Sequence, residues 1–518
     1  MTLVNRAYGF TVRGDCTSLP ELRSFSKIGL DEGILASVSE TMVHDAHEEI
    51  HVKPLGSVLV EGKDRALTYV VAVHNTLLSA LFYREDGSFV RPALGGTRLL
   101  PYAELGHKDY TLDLEDVSNG VTAIRDVKEL ARGMSFKWGA FDLLLIRRAL
   151  TGDHVTEAEL LASRMGGGKS GNYVDGLSSL AAVTPGLLER LCPIRKGRTS
   201  EELTSFERTL YEKDADVVAA LDGRYIFAPD MYTDTAVMEF VRSNLLARGV
   251  HVPVACLSER VGGSGDPSIV TAEGVYYSML GAAQSVWKTD RLRLKTIGIQ
   301  GLGKVGYRLL ERILEDGHHT KMLHLADSSS AALDKARELL SRNGKVEGTD
   351  YVLHQIASPV DIQQFYNLGM DVFSPNAGGQ ILTEDSIKTL YEHGCRVIVG
   401  GANNQRHPQQ RQAVDDYIVA HQIAYGPDYL VNLGGILNTI YERDDVKASL
   451  GGIFIKDRPI HVVRSLKSLV GEVLNRAKET ATAPQHVIDQ MVIEDLARHA
   501  MFQRYRADDI TTRKYLSV

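Results

Sequence analysis

Three kinds of residue in this chain carry chemistry worth locating: a glycine-rich turn, two lysines and an isolated carboxylate. Residues Gln300–Gly306 read Gln-Gly-Leu-Gly-Lys-Val-Gly, a GxGxxG spacing. With 47 glycines in 518 residues such spacings arise by chance, so context decides. The motif directly follows a short, largely apolar run, Leu294–Gln300, and opens a helical pattern with Leu309, Leu310, Ile313 and Leu314 at spacings of three and four. In that setting Gly301 permits the tight turn, Gly303 lets backbone approach a pyrophosphate, and Gly306 lets helix and strand pack closely. The helix N-terminus supplies unpaired N–H groups and partial positive charge for phosphates. Asp327 ends the next strand-like run, 21 positions past Gly306. A carboxylate there can accept hydrogen bonds from both ribose hydroxyls and would repel a 2′-phosphate. The following Ser328–Ser330 supplies no arginine. NAD is therefore expected rather than NADP, with helix capping as the alternative use of Asp327.

The lysines are less explicit. Met165–Ser170 places three glycines before Lys169. Such a run is costly in conformational entropy and is tolerated where backbone approaches a ligand or another segment, or in a surface turn. It is no Walker A motif, since position 163 is serine. Lys137 lies on an amphipathic helical pattern, where a lysine faces solvent by default. Asp230 closes the apolar strand-like run Tyr225–Asp230, a place suited to a cap, a turn or a catalytic acid.

The elements that must position these groups are clearest in the second half. Strand-like runs at 294–300, 322–326, 351–353, 371–374, 397–399 and 423–425 alternate with helical runs, including one that Thr383 is placed to cap. Six strands alternating with helices predict a parallel sheet covered on both faces. Earlier, Ser57–Val60 and Thr68–Val73 are strand-like, and helical stretches dominate from Thr111 to about Leu245. Residues 445–518 are helical again, and residues 1–52 carry weak periodicity.

Composition narrows the function. The net charge is 58 − 66 = −8, which argues against nucleic acid or an anionic membrane as partner. No run of about 18 apolar residues exists to span a bilayer. Four scattered cysteines (Cys16, Cys192, Cys256, Cys395) contain no CxxC pair. They read as reduced and structural, with no metal site expected. A cytoplasmic protein acting on a small molecule is the expectation.

Seven segments then occur in one order: Pro92–Arg98, Gly133–Lys137, Gly166–Lys169, Arg224–Asp230, Gly263–Ser268, the GxGxxG, and Ala424–Gly435. That series resembles the glutamate/leucine/phenylalanine/valine dehydrogenase family over roughly residues 55–440, and the leucine and phenylalanine branch fits best. The resemblance implies an α/β fold with two domains and reversible NAD-dependent oxidative deamination of an L-amino acid to its 2-oxo acid and ammonia. The expected layout is an N-terminal extension (1–52), an α/β substrate domain with insertions (53–275), a Rossmann doubly wound NAD domain (290–440) and C-terminal helices returning to the first domain (441–518). By motif position, Lys169 and Asp230 would be catalytic: Lys169 activates water and polarises the carbonyl, and Asp230 exchanges protons with the amine. Lys137 would hold the substrate carboxylate and Asn432 orient the substrate. Gly95, Gly96, Met134, Ala228, Ile436 and Thr439 would lie near its side chain. They are small or apolar, which favours an aliphatic or aromatic amino acid. The implied cofactor set is Gly301, Leu302, Gly303, Lys304, Val305, Gly306, Asp327, Asn376 and Asn403. A homo-oligomer is also implied.

These residue types suit the chemistry. Hydride leaves Cα only from a neutral amine, so a proton acceptor is needed. Two neighbouring lysines, further depressed by burial, would bring one towards neutrality. Departures cluster on the substrate side. Lys137 and Lys169 are 32 positions apart, farther than in the family, with a possible capping box at Thr156–Glu159 between them. Further insertions are expected at 77–90 and 101–122. Pro229 precedes Asp230 where the family carries Glu, and Asp266 stands where leucine-like members often have Asn. The long insertion either loops out and leaves both lysines in place, or reshapes the pocket or oligomer. Two other functions fit such departures: a divergent enzyme of specialised metabolism acting on another keto acid or imine, and a catalytically weak NAD-binding regulator or scaffold.

Overall fold

The computed structural model describes residues 2–5, 10–13, 32–43, 47–76, 79, 81–83, 89–106, 122–195, 197–250, 254–316, 320–342, 350–451 and 457–498. Its described residues fall into two compact units, one drawn from 1–266, 439–455 and 492–518, the other from 267–438 and 456–491. The helical tail thus divides between them.

The first unit is built on a five-stranded sheet. Its strands are β1 (Glu49–Val60), β2 (Lys63–Asn75), β3 (Ala93–Leu99), β4 (Gly166–Val174) and β5 (Tyr225–Pro229), in spatial order β1-β2-β4-β3-β5. β1 and β2 form a hairpin whose two-residue turn, Glu61-Gly62, has φ of 48° and 75°, the twist-matching turn that short hairpins favour. β2 runs antiparallel to β4, whereas β4, β3 and β5 are parallel. Parallel neighbours need crossovers, supplied by helices α1 (Ala123–Leu150), α2 (Glu157–Ala162) and α3 (Ser205–Ala220), with α4 (Thr235–Ala247) following β5. Period-two alternation on β2 sends Tyr69 and Val71 into a core with α3 and α4, and Val70 and Ala72 against Ile124, Val127 and Ala131 of α1. The sheet is therefore covered on both faces.

Within the stretch expected to be mainly helical, Gly166–Val174 is instead a central, buried strand. The glycines serve close approach, and the alternative of a surface turn does not hold. A Cβ on Gly167 would lie 2.2 Å from Ser135 Oγ, 2.3 Å from Ser135 N and 2.4 Å from Ala131 O, so bare backbone is what lets α1 settle on β4. The residues between the two lysines do not loop out. They continue α1 through fully buried Trp138 and Phe141, then enter α2, where Thr156 and Glu159 make the expected capping box. Tyr441 donates to Glu159 (2.6 Å) and Ser163 to Asp142 (2.6 Å), so the insertion is part of this unit's core.

Residues expected to be a loosely patterned extension also contribute structure. Thr2–Asn5 and Phe10–Arg13 join Leu81–Tyr83 and Phe89–Val90 in a four-stranded antiparallel sheet. The extension and the insertion expected at 77–90 thus pair with each other. Most of the insertion expected at 101–122 lies outside the described residues.

The second unit follows the predicted alternation closely. β6 (Thr296–Gln300), β7 (Met322–Asp327), β8 (Asp350–Gln355), β9 (Val372–Pro375), β10 (Val397–Ile398) and β11 (Ala424–Tyr425) form one parallel sheet in the order β8-β7-β6-β9-β10-β11. Helix α5 (Ser268–Trp287) precedes it, and α6 (Lys304–Glu315) and α7 (Ser330–Arg342) are its first crossovers. Later come α8 (Pro359–Tyr366), α9 (Glu384–Glu392), which Thr383 caps, and α10 (Arg411–Ala420). The order reverses between β6 and β9, the switch point where doubly wound sheets bind ligands at their carboxyl ends. No helix among the described residues is long and apolar enough to cross a membrane.

Gly167→Ala is expected to destabilise the first unit by about 1–3 kcal/mol, because the methyl meets backbone that cannot rotate away. Chemical denaturation would measure it; an unchanged midpoint would contradict the close-packing account.

Candidate active site

Three adjacent parallel strands gather the first cluster: Arg98 near the end of β3, Asp230 just past β5 and Lys169 within β4. Thr97 of β3 pairs with Ser170 on β4 and with Pro229 on β5, so Arg98, Lys169 and Asp230 come to one level of the sheet. Lys169 Nζ donates to Asp230 Oδ2. Arg98 Nε donates to the same oxygen at 2.7 Å, and Arg98 Nη2 lies 2.7 Å from it. Arg98 Nη1 donates to Asp126 Oδ2 (3.0 Å), which also accepts from Tyr102 (2.6 Å). The lysine side chain is 5% exposed and the Asp230 side chain 18%, so the carboxylate is the more open of the two.

Charge in so dry a place redistributes protons. Burial pushes the Lys169 ammonium below its ordinary pKa, and the Arg98 charge pushes the same way, against the opposing pull of Asp230. Burial alone would raise the Asp230 carboxyl, but Arg98 and Lys169 outweigh it and hold it well below the usual carboxylate range. Arg98 is thus a cation acting on Lys169, a residue that sequence reasoning quoted within a motif but gave no role. Asp126 and Tyr102 were also missed.

The alternative reading of Asp230 as a helix cap is not what this structure shows. Asp234 caps α4 through Ala236 and Val237, while the Asp230 N–H donates to Thr233 Oγ1 (2.6 Å), fixing the turn out of β5. Lys137 is buried on α1 rather than solvent-facing, three residues past buried Met134. Gly95 and Gly96 lie in β3 and Ala228 in β5; a Cβ on Gly96 would lie 2.7 Å from Asp230 Cβ. Thr439 also belongs to this unit, whereas Asn432 and Ile436 belong to the other. The motif Gly263–Ser268 begins in a loop pinned by buried Glu442, whose carboxylate accepts from the N–H groups of Cys256 (2.6 Å) and Ser264 (3.0 Å). Burial pushes the Glu442 carboxyl up to about 7 despite those donors.

The second cluster sits at the switch point of the parallel sheet. Gly301 has φ of 93°, and a Cβ on Gly306 would lie 1.9 Å from Gly301 O, so both positions demand glycine. A Cβ on Gly303 would meet nothing within 4 Å. Gly303 is the N-cap of α6 and offers no side-chain cap, which leaves the first-turn amides of Lys304 and Val305 for a ligand. The N–H of buried Leu302 donates to Asp327 Oδ2 (2.6 Å) and that of Ser329 to Oδ1 (2.7 Å). Ser329 Oγ, not Asp327, accepts the capping bond from Ala332. Beyond β9 and β10, Asn376 Oδ1 accepts from Gly401 N–H (2.9 Å). Asn432 Nδ2 donates to Asn403 Oδ1 (2.7 Å) and Gly401 O (3.1 Å). Asn432 Oδ1 is buried without a hydrogen-bond partner, an acceptor that a ligand donor would satisfy. The strained turn, bare helix N-terminus, carboxylate and orphaned acceptor fit a dinucleotide.

Residues 262–501 match the sequence model of the Glutamate/Leucine/Phenylalanine/Valine dehydrogenase family. The chain is similar to this family. It is 26% identical over 475 residues to the phenylalanine dehydrogenase of Thermoactinomyces intermedius, covering 92% of this chain and 98% of that one. It is 29% identical over 470 residues to the valine dehydrogenase of Streptomyces albus, covering 90% and 97%. The fold is shared with hetero-hexameric glutamate dehydrogenase from Thermus thermophilus, with a TM-score of 0.58, 20% identity, and 94% and 95% of the two chains covered.

Asp327→Ala should weaken NAD binding about 10-fold or more, since hydrogen bonds to a charged group contribute about 1.5–3 kcal/mol. Fluorescence titration of NADH checks this; unchanged affinity would remove Asp327 from the cofactor site.

Proposed function

We propose that this protein is an NAD-dependent amino-acid dehydrogenase that reversibly converts an aliphatic or aromatic L-amino acid, with water, to its 2-oxo acid and ammonia. The observation that carries this reading is the buried Lys169–Asp230 pair, drawn from the interior of β4 and the carboxyl end of β5. The similarity to amino-acid dehydrogenases supports the reaction class, an oxidation at CH–NH2.

Each residue has a task set by its chemistry. The ammonium of Lys137 holds the substrate α-carboxylate and orients Cα–H. Asp230, kept anionic, accepts a proton from the substrate ammonium, because only the neutral amine can release hydride. Bound NAD would supply the electron sink that takes the hydride from Cα. Lys169, brought down from the ordinary lysine range, deprotonates water as it adds to the imine carbon. Asp230 then returns a proton to nitrogen as the C–N bond breaks and ammonia leaves. Asp327 accepts from the ribose hydroxyls and disfavours a 2′-phosphate, which supports NAD over NADP. Asn376 and Asn403 complete the nicotinamide side, and Asn432 helps orient substrate.

Side-chain selectivity follows from what the first unit lacks. Gly95, Gly96, Met134 and Ala228 offer no charge. The nearby Arg98 guanidinium is committed to Asp230 and Asp126, so it cannot hold a second substrate carboxylate. Ile436 and Thr439 add no basic group either. The working form is read as a cytoplasmic homo-oligomer, which light scattering would check.

Lys169→Ala should lower NADH formation from L-leucine or L-phenylalanine by about 10²–10⁴-fold while NADH binding persists. Turnover that survives it would defeat the lysine mechanism. In the wild-type enzyme kcat/KM should rise with pH through a midpoint below 10.5, the ordinary lysine value, because burial lowers Lys169 and the base form is the active one. A midpoint at or above that value would exclude Lys169 as the titrating group.

A further inference from the structure

The Asp230 carboxylate is used unevenly. Oδ2 takes the Lys169 ammonium, Arg98 Nε at 2.7 Å and Arg98 Nη2 at 2.7 Å. An oxygen has two lone-pair directions, so this one is saturated. Oδ1 accepts no hydrogen bond from the described residues, and the side chain keeps 18% of its surface open. Arg98 itself is fixed from behind, with Nη1 on Asp126 Oδ2 at 3.0 Å and Tyr102 on that same oxygen at 2.6 Å. A chain of four groups, Tyr102–Asp126–Arg98–Asp230, therefore runs from the start of α1 and the loop after β3 to the tip of β5.

We propose that Arg98, clamped by Asp126 and Tyr102, is a positioning residue that saturates Asp230 Oδ2 and dedicates Oδ1 to the substrate nitrogen. This rests on the deaminase reading and adds the device that sets its proton traffic. A lone buried Lys–Asp pair shares its proton and leaves neither member suited to its task. A second fixed cation lets Lys169 release a proton while Asp230 stays anionic. Arginine suits this because its planar fork binds in fixed directions and does not lose its charge. Asp126 works against Arg98 on Lys169: the arginine charge favours the neutral amine, and the Asp126 charge favours the ammonium. Among the described residues, the Lys169–Asp230 pair is faced by Arg98 from β3, Tyr102 from the loop after it, Asp126 from α1 and Tyr225 from β5.

The opposed signs make the test. In Arg98→Gln, the acid limb of the kcat/KM–pH profile for L-amino-acid oxidation should move to higher pH, and kcat should fall at least 10-fold. In Asp126→Asn, the same limb should move to lower pH, with a smaller fall in kcat. NADH affinity should change less than twofold in either variant. Tyr102→Phe, a change of one hydroxyl, keeps the question answerable if Arg98→Gln does not fold: it should lower kcat about threefold or more without altering NADH affinity. Limbs that stay in place, limbs that move the same way, or a Tyr102→Phe enzyme of wild-type kcat would overturn the positioning role. Lys169→Ala run in parallel separates the two claims. Its inactivity keeps the deaminase reading even where the Arg98 role fails, and its activity defeats the reading itself.

Discussion

A carboxylate held between two cations in a nearly dry site is the constraint on which the first unit depends. Neither Lys169 nor Arg98 could be buried as it is without Asp230 and Asp126 to compensate, because an isolated charge out of water costs several kcal/mol. The sheet order answers that demand. β4, β3 and β5 are parallel neighbours, and their register brings three residues remote in sequence to one level. The bare backbone of β4 then lets α1 press close, which brings Asp126 up behind Arg98 and buries Lys137 farther along the same helix.

The dinucleotide unit answers a different constraint with different means. Its chemistry is carried by backbone, through a left-handed turn at Gly301, uncapped amides at the start of α6 and one carboxylate at the end of β7. A site made from backbone geometry needs particular glycines, and it was legible for that reason. The six strands and their crossovers were equally legible, since parallel strands buried on both faces read as short apolar runs between amphipathic helices. Only the ends of elements moved, as where β8 spans Asp350–Gln355 in place of the expected 351–353.

The first unit was harder to read because its decisive features do not show in local pattern. Four of the nine residues of Gly166–Val174 are glycines and only Tyr173 and Val174 favour a strand, so its composition does not mark a central strand; the fit against Ser135 and Ala131 explains it. Lys137 and Lys169 could be singled out through the resemblance alone. The insertion between them is carried by buried residues of α1 and α2, where a separation of 32 positions had favoured a loop. Arg98 had one usable signal, its place two residues after Gly96 on a strand, which puts it on the face that meets Asp230. Asp126 and Tyr102 had none, because their partnership with Arg98 exists only once β3 and α1 are in place.

The small antiparallel sheet shared by Thr2–Asn5, Phe10–Arg13 and the stretch near Tyr83 ties two remote pieces of the chain together. Phe10–Arg13 takes its inner partner from Leu81–Tyr83, so either piece without the other would present an unpaired strand edge. Two stretches far apart in linear order thus shield one another's edges, and removing either would expose the other to pairing with foreign strands.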